Sequence, residues 1–357
     1  MATLDFFSTY HLAAVVEEIV PRASFFHDRY FPTAAGDIFN SDKVLVEYRD
    51  GDRKIAPFVA PRVGGIVVDR RGYSVHEMTP GFIELSRTLT QDDLVKRGYG
   101  EAIYANSTRA QRAARLQLDD FTDMDNRILR REEWMGAQLL VSNSYDMQEY
   151  VDADTQGELL NIKFYEGEDS GHIYTISSTW DDGTGEAFFK DVPAMCKMLT
   201  KRGLPVTDLI LGTNVGSTIC DLTKVRELLD NRRMNFGSID PKLTAYPGVV
   251  FMGQLNFDGY LLNIFVVDET YEDEGGTTTS YFPTDGATVT APGCGATKYG
   301  SITQIDHGNT EFTTHAKPRV PRVVIDQPKN IRKYNLASRP LVVPKKKNPY
   351  VFAGSVV

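Results

Sequence analysis

One segment of the sequence, residues 107–141, constrains the fold of this chain more than any other. It contains no proline and a single glycine, Gly136, and its apolar residues recur at intervals of three or four. That spacing predicts one long amphipathic α-helix, which at a rise of about 1.5 Å per residue spans roughly 50 Å. The apolar stripe consists of Ala114, Leu118, Phe121, Ile128, Met135 and Leu139. A coiled coil is the competing interpretation, and Asp125 and Glu132 disfavour it because they interrupt the stripe with charges.

A β-hairpin without a core of its own precedes the helix. Val44, Val46 and Tyr48 alternate with residues of the opposite face, Asp50-Gly51 predicts a turn, and residues 54–59 predict the returning strand. Prolines and glycines punctuate the sequence from there to about residue 90, with little apolar periodicity. We therefore expect residues 43–90 to form a long, extended, two-stranded arm.

The first 42 residues combine an amphipathic stretch, residues 4–19, with an irregular segment rich in aromatic side chains. The aromatic residues are Phe25, Phe26, Tyr30 and Phe31. So many exposed aromatic rings are unusual on a lone monomer. We expect the segment either to fold back onto the main core or to lie on a neighbouring subunit.

The remaining sequence predicts mixed helix and strand without internal repeats. A chain of 357 residues exceeds what one hydrophobic core usually organises, so we expect two lobes or one elaborated domain. The predicted elements are a hairpin over 149–164, a short strand over 173–177, a polar turn over 180–184, helices over 192–201 and 213–229, strands over 208–211, 249–252 and 261–267, and an alternating apolar and basic segment over 319–343.

Charge is distributed unevenly along the chain. The net charge is −9, but the sequence from Lys317 onward holds ten Lys or Arg residues and one acid, Asp326, so this tail is +9 and residues 1–316 sum to −18. The balance excludes a uniformly basic nucleic-acid-binding protein. It predicts that the basic end meets acidic protein surface.

The cysteines and the N-terminal sequence bear on the compartment. Cys196, Cys220 and Cys294 are odd in number and widely spaced, which predicts buried free thiols rather than disulfides or a zinc site. Residues 1–20 lack a basic leader region, and their longest apolar run, residues 12–16, is too short to cross a bilayer. We therefore expect a cytoplasmic protein with no membrane partner.

One loop has the form of a phosphate-binding site. Residues 212–217 (GTNVGS) follow a predicted strand and open a predicted helix, where backbone amides can bind phosphate. The loop lacks the Walker lysine and the glycine spacing of a dinucleotide fingerprint. Thr213 or Asn214 acting as an ordinary helix N-cap accounts for it without a ligand.

Two acidic groups are the candidates for divalent metal binding: Asp119, Asp120, Asp123 and Asp125 on the long helix, and Glu269, Glu272, Asp273 and Glu274 in a loop. The helical set faces several directions, and the loop does not fit the EF-hand register. The six histidines show no paired metal-ligand spacing, and no nucleophile elbow is present. We therefore predict no catalytic, cofactor-binding or metal-ligating residues, and a protein that is not an enzyme.

Several separated stretches match one known family over most of the chain and in the family's order. They are residues 207–215 (TDLILGTNV), the run from Tyr281-Phe282-Pro283 through Pro292-Gly293 to Tyr299-Gly300, residues 337–344 (ASRPLVVP), residues 55–59 (IAPFV) and the turn at Trp180. Together they resemble the lambda-type major head (major capsid) proteins of tailed bacteriophages.

The resemblance implies the α+β capsid fold that tailed phages share with herpesviruses. Its parts map here as an N-terminal arm (1–42), an extended loop (43–90), a peripheral domain (91–180) with spine helix 107–141, an axial domain (181–305), and a peripheral return strand with a C-terminal tail (306–357).

The resemblance also implies a function: a major capsid protein that self-assembles into hexamers and pentamers. These form a procapsid and then the icosahedral phage head of the virion, assembled in the host cytoplasm around double-stranded DNA. The implied partners are other copies of the chain, scaffold, portal, a possible decoration protein, and DNA held on the inner face without sequence specificity. Lys345, Lys346 and Lys347 are not a feature of the family as a whole, and their role stays open.

Two other functions remain as alternatives. One is another phage structural protein, a tail-tube or decoration protein, although a tail-tube protein has no need of a long spine helix. The other is a nucleotide-binding α/β enzyme centred on residues 207–230, which a thermal shift with nucleotide would reveal.

Overall fold

The computed structural model describes residues 12, 16, 22–48, 74–95, 109–150, 155–165, 171–230, 237–273 and 275–357. Its helices are α1 (Phe25–Tyr30), α2 (Gln91–Val95), α3 (Arg109–Ser142), α4 (Glu186–Lys201), α5 (Thr213–Asp221) and α6 (Thr223–Asp230). The strands of the N-terminal half are β1 (Val44–Tyr48), β2 (Ser74–Met78), β3 (Ile83–Leu89), β4 (Ser144–Tyr150), β5 (Gln156–Lys163) and β6 (Asp208–Gly212).

The remaining strands are β7 (Gly237–Leu243), β8 (Val249–Phe257), β9 (Tyr260–Val267), β10 (Thr270–Glu272), β11 (Thr278–Ser280), β12 (Ala287–Thr290), β13 (Gly295–Tyr299), β14 (Ile302–Ile305), β15 (Phe312–His315), β16 (Val320–Asp326), β17 (Ile331–Ser338), β18 (Pro340–Pro344) and β19 (Val351–Ala353). The molecule is thus a mixed α+β protein, as predicted.

Helix α3, the spine helix, confirms the prediction of one long helix and contains 34 residues. The stripe residues Phe121, Ile128, Met135 and Leu139 are buried, whereas Ala114 is exposed and Leu118 is 47% exposed, contrary to expectation. The helix ends where Asn143 adopts a left-handed conformation with φ 56°.

Two of the sheets contain more than two strands, and each packs against different helices. The larger has the strand order β19-β12-β6-β9-β8-β7, with β6 and β9 parallel and the other neighbours antiparallel. Its core is formed with the helices α4 to α6 and contains Trp180, Phe188, Leu211 and Phe257. Gly216 lets α5 approach this sheet, because a Cβ there would lie 2.6 Å from Val266.

The smaller sheet, β16-β17-β3, packs on the N-terminal half of the spine helix. Phe121 of the helix and Tyr334 of β17 lie with ring centroids 5.7 Å apart. Leu12 and Val16, two helical residues of the N-terminal region, are buried in the same cluster.

The aromatic N-terminal segment forms helix α1 and not the irregular structure that was predicted. The segment packs into the main core of its own chain, which is one of the two expected arrangements. The side chains are each at most 1% exposed: Phe25, Phe26, Tyr30 and Phe31. The lone glycine of the spine helix makes room for it, because a Cβ on Gly136 would lie 3.1 Å from the Phe31 ring.

The strand predicted from Lys43 is present as β1, and its observed partner is β2. Strands β1 and β2 are antiparallel, with Val44 opposite Met78 and Tyr48 opposite Ser74. The Asp50-Gly51 turn and the returning strand at 54–59 lie outside the described residues.

Several element boundaries differ from prediction. The hairpin placed at 149–164 begins at Ser144, and the strand placed at 173–177 is a single bridge between Ile173 and Phe352. Helix α4 begins at Glu186, so Pro193 lies inside the helix and does not mark its start. The helix placed at 213–229 is two helices, because Leu222 adopts an extended ψ of 128°.

The last strand, β19, pairs with β12 in the six-stranded sheet. Its residues lie outside the segment 181–305 that was predicted to form the axial domain. The division into arm, loop, peripheral and axial domains stays a prediction. Among the residues that the structure describes, none of the helices is both long and apolar enough to cross a membrane.

Candidate functional site

The phosphate-like loop after β6 is closed by the protein's own backbone. The amide of Gly212 donates to the carbonyl of Gly286 at 2.9 Å, and that of Asn214 donates to Thr284 at 3.2 Å. A Cβ on Gly212 would collide with the carbonyl oxygens of Pro283 and Thr284. Carbonyl oxygens at this position repel an anion and already accept the amide protons, so the geometry does not favour a phosphate.

The side chains after this glycine do not cap the helix as predicted. Gly212 itself is the N-cap and provides no side-chain hydrogen bond. Thr213 donates to Asp268 at 2.9 Å, and Asn214 donates to Asp285 at 2.7 Å. These bonds tie the start of α5 to the loops that follow β9 and precede β12.

Three of the four acidic residues in this helical set are paired with arginines, Asp119 with Arg115 at 3.9 Å among them. Asp123 contacts Arg87 and Arg127, the latter at 3.1 Å. Asp125 is instead buried and accepts a bond from Arg319. The set therefore faces several directions, as the spacing indicated.

Acidic residues of the loop at 269–274 are likewise engaged in separate contacts. Glu269 is buried and pairs with Arg22, while Asp273 accepts hydrogen bonds from the amides of Gly275 and Thr277. Glu274 lies outside the described residues. In the described part of the chain, no three His, Cys, Asp or Glu side chains lie close enough together to hold a metal ion.

The three cysteines are free, as predicted, but only two of them are buried. Burial raises the pKa of Cys196 to about 12 and that of Cys294 likewise to about 12, which makes both thiols unreactive. Cys220 is exposed at the end of α5, so the prediction of burial is wrong for this residue. The helix turns this side chain away from the sheet.

A buried ionic cluster joins the C-terminal tail to the spine helix. The Arg319 guanidinium donates to Asp125 at 2.7 Å and to both carboxylate oxygens of Glu132 at 2.8 and 2.9 Å. Tyr299 donates to the same Glu132 carboxylate at 3.0 Å. Burial alone would lower the pKa of Arg319, but the facing Glu132 outweighs it and raises that pKa well above its ordinary value. The two charges that interrupt the apolar stripe are thus compensated inside the molecule.

A second buried carboxylate, Glu133, holds the arm helix. Its two oxygens accept the backbone amides of Phe26 and His27 at 2.7 and 2.8 Å, at the N-terminus of α1. A helix N-terminus favours a negative charge. Burial nevertheless raises the pKa of Glu133 to about 7. Sequence reasoning missed this residue, because nothing in its spacing distinguishes it from a surface glutamate.

The arm is also fixed to the six-stranded sheet. Asp208, the first residue of β6, is fully buried and accepts bonds from Arg29 at 2.7 Å and from Tyr30 at 3.0 Å. Residues 24–31 are therefore an integral part of the core and not a free arm.

Strand β1, which precedes residues 49–73, is anchored to the core on one face and exposed on the other. Val44 and Val46 are buried in the main cluster, whereas Leu45 between them is 44% exposed. Lys298 donates to the carbonyl of Leu45 at 3.0 Å and lies over the Phe39 ring. Strand β1 therefore has a defined position on the core.

The basic tail is folded and does not form a continuous basic surface. Arg322 pairs with Glu84 at 2.9 Å, and Lys329 lies 3.8 Å from Asp326. Lys345 and Lys346 are exposed, although their backbone is held by bonds to Cys294 and Tyr165. Part of the predicted contact with acidic surface is thus made within the chain.

Comparisons with known proteins agree on one family. The family model for phage major capsid protein E matches residues 8–354. The P21 prophage-derived major head protein of Escherichia coli O6:H1 (strain CFT073) is 23% identical over 290 residues, which covers 80% of each chain. The major capsid protein of Enterobacteria phage P21 matches to the same extent.

Solved structures show the same fold. The crystal structure of a putative prophage capsid protein from E. coli CFT073 matches with a TM-score of 0.67 at 18% identity, over 97% of this chain and 98% of that one. A phage-related protein from Bordetella bronchiseptica RB50 matches with a TM-score of 0.55 at 9% identity, over 98% of both chains.

Proposed function

The chain belongs to the phage major capsid protein E family, and on that premise we propose that it assembles into hexamers and pentamers that close into an icosahedral head. Family membership over residues 8–354 is the observation that carries the proposal. Closed symmetric assembly requires each copy to present complementary surfaces to its neighbours. The chain offers such surfaces on elements that the monomer does not cover.

The elements that leave the core support this assembly. The two-stranded base of residues 49–73 is fixed by Val44 and Val46, and Leu45 on its other face is exposed. An isolated two-stranded ribbon is only marginally stable in water. We propose that this excursion lies over a neighbouring subunit, as the extended loop of the capsid fold.

The same proposal assigns the other parts of the chain. The spine helix and the β16-β17-β3 sheet form the peripheral domain, and the six-stranded sheet forms the axial domain near the centre of the capsomer. The arm, residues 1–42, contributes α1 to the core of its own subunit. The buried aromatic residues of α1 support that assignment.

We also propose that the assembled shell encloses double-stranded DNA without reading its sequence. A net charge of −9 favours contacts through local basic groups over a continuous basic face. Lys345 and Lys346, which are exposed, are available for contact with phosphate groups on an inner face. Such contacts weaken steeply as salt rises.

The proposed setting is the virion, with assembly in the host cytoplasm together with a scaffold, a portal and a possible decoration protein. A catalytic role is not part of the proposal. The family is one of structural proteins, and the closed loop at Gly212 gives the nucleotide-enzyme alternative no support.

Sedimentation velocity of the purified chain over a range of concentrations tests this function. We expect capsomers or larger shells to form, with or without added scaffold, through interfaces well above about 1,000 Å². A strictly monomeric protein at high concentration under both conditions would contradict the proposal.

A further inference from the structure

The hairpin β4–β5 presents acidic and apolar side chains at its outer end. Glu149 and Glu158 are exposed, as are Tyr150 at 41% and Leu159 at 55%. The sequence from 144 to 163 contains five acids and one base, Lys163, which lies at the inner end. Exposed apolar residues surrounded by charges of one sign are typical of a surface that awaits a partner.

The hairpin β16–β17 presents the opposite charge together with apolar side chains. Val324 and Ile325 are 38% and 39% exposed, and Lys329 and Lys333 are exposed near them. Val324 and Lys333 are directly opposite in the strand register. The sequence from 320 to 338 contains four bases and one acid, so it mirrors the composition of the first hairpin.

These two surfaces do not neutralise each other within one molecule. Neither Glu149 nor Glu158 forms an ion pair with a described residue, and Lys329 contacts Asp326 of its own hairpin. One hairpin follows the C-terminal end of the spine helix, and the other packs at Phe121 near its N-terminal half. At about 1.5 Å per residue, these attachment points are roughly 30 Å apart along the helix.

We propose that the acidic hairpin β4–β5 of one copy docks on the basic hairpin β16–β17 of a neighbouring copy. This inference rests on the proposed function, because it requires several copies in one assembly. The contact joins different surfaces of the two copies and is therefore head-to-tail, the type that closes into rings. Tyr150 and Leu159 bury apolar area against Val324, which lies on the same face as Lys333, while the opposite charges set orientation and selectivity.

Charge reversal tests the contact. The K329E/K333E variant replaces the two exposed lysines of the basic hairpin by acids, and the E149K/E158K variant replaces the two exposed glutamates of the acidic hairpin by lysines. Each is expected to reduce the assembled fraction by roughly tenfold or more at low salt, since like charges then face each other. The fourfold variant exchanges the charges at these four positions, so lysines again face glutamates, and it is expected to restore assembly.

A matched control separates this contact from a general effect of charge. The K190E/K197E variant makes the same change in net charge on exposed positions of α4 and is expected to assemble like the wild type. Circular dichroism establishes that every variant is folded. Assembly is followed by sedimentation of the full chain at fixed ionic strength.

The possible outcomes distinguish this inference from the proposed function. Normal assembly of both double variants overturns the docking proposal alone. The same follows if the folded fourfold variant stays unassembled, or if K190E/K197E is impaired as strongly as K329E/K333E. A wild-type chain that never assembles overturns the proposed function and this inference with it.

Discussion

Glu133 illustrates at the scale of one residue how the arm and the spine helix depend on each other. Its carboxylate is buried, accepts two amides of α1, and lies near the charged side chains of His27 and Glu269. The amide bonds favour the ionised form, and burial disfavours it more strongly. Attachment of the arm is therefore coupled to one titration near neutral pH.

The raised pKa of Glu133 predicts how stability depends on pH. The unfolded chain releases this proton near pH 4.5 and the folded chain near pH 7, so the free energy of unfolding falls as pH rises between these values. The loss is on the order of 3 kcal/mol. Urea unfolding of unassembled protein at several pH values measures it, and E133Q is expected to flatten the slope.

His27 is a second titratable group next to Glu133, and its effect on stability has to be separated from that of Glu133. Burial lowers its pKa, but the hydrogen bond to Asp28 and the neighbouring carboxylates outweigh burial and raise it. The contributions of Asp28 and Glu132 to the His27 pKa are larger than that of Glu133 and remain in E133Q, so the difference between the two proteins reports Glu133 together with its coupling to His27. Equal slopes in wild type and E133Q would show that Glu133 does not control the pH dependence.

Arg319 is the second residue with a measurable consequence. Replacing it by Met leaves Asp125 and Glu132 buried without a counter-charge, which is expected to cost about 3–5 kcal/mol of stability. Arg322 provides the control, because its pair with Glu84 is partly exposed and R322M should cost no more than about 1 kcal/mol. Similar losses in the two variants, measured by urea unfolding, would contradict the role given to the cluster.

The sequence gives a signal for the buried cluster around Arg319 but none for Glu133. Asp125 and Glu132 interrupt an apolar stripe, which indicates a buried cation somewhere in the chain, but the spacing cannot identify Arg319 as that cation. Glu133 is adjacent to the stripe and gives no signal. Its role depends on a helix more than a hundred positions away, and only the fold brings the two together.

At the scale of elements, the packing of α1 depends on glycines in two other elements. The Phe31 ring lies against Gly136 of the spine helix and Gly295 of β13, where a Cβ would collide with the ring. Neither neighbour leaves room for the ring to move. The position of α1 is therefore set by shape as well as by Glu133.

This packing predicts that G295A is destabilising. Overpacking a filled core typically costs about 1–3 kcal/mol, and the methyl group meets both the ring and the backbone of Val343. G36A is the matched control, because nothing lies within 4 Å of a Cβ at Gly36, and it should change stability by less than about 0.5 kcal/mol. Thermal unfolding of both variants checks this, and an unaffected G295A would refute the packing argument.

The elements with regular apolar patterns were predicted best. The spine helix and the strands around residues 208–211, 249–252 and 261–267 were placed close to their observed positions because their periodicity reflects burial. The start of α4 was predicted too late, at 192, although the buried face around Phe188 belongs to the same helix. The short helix α1 depends on tertiary contacts and was missed.

At the scale of the whole molecule, the excursion over 49–73 should serve assembly and not the fold of the monomer. Tyr48 and Ser74 are directly opposite, so an Asn-Gly turn can replace residues 49–73 and leave Val44 and Val46 in the core. We expect the shortened protein to melt within a few degrees of the wild type but to form no shells. Loss of the folded monomer would instead place the segment in its own core.

Electron microscopy of particles from the purified wild-type chain tests the central claim most directly. The account predicts closed isometric shells in which capsomers with fivefold and sixfold symmetry are both present. Open tubes built from a single type of ring, or uniform single copies at high concentration with and without scaffold, would contradict it.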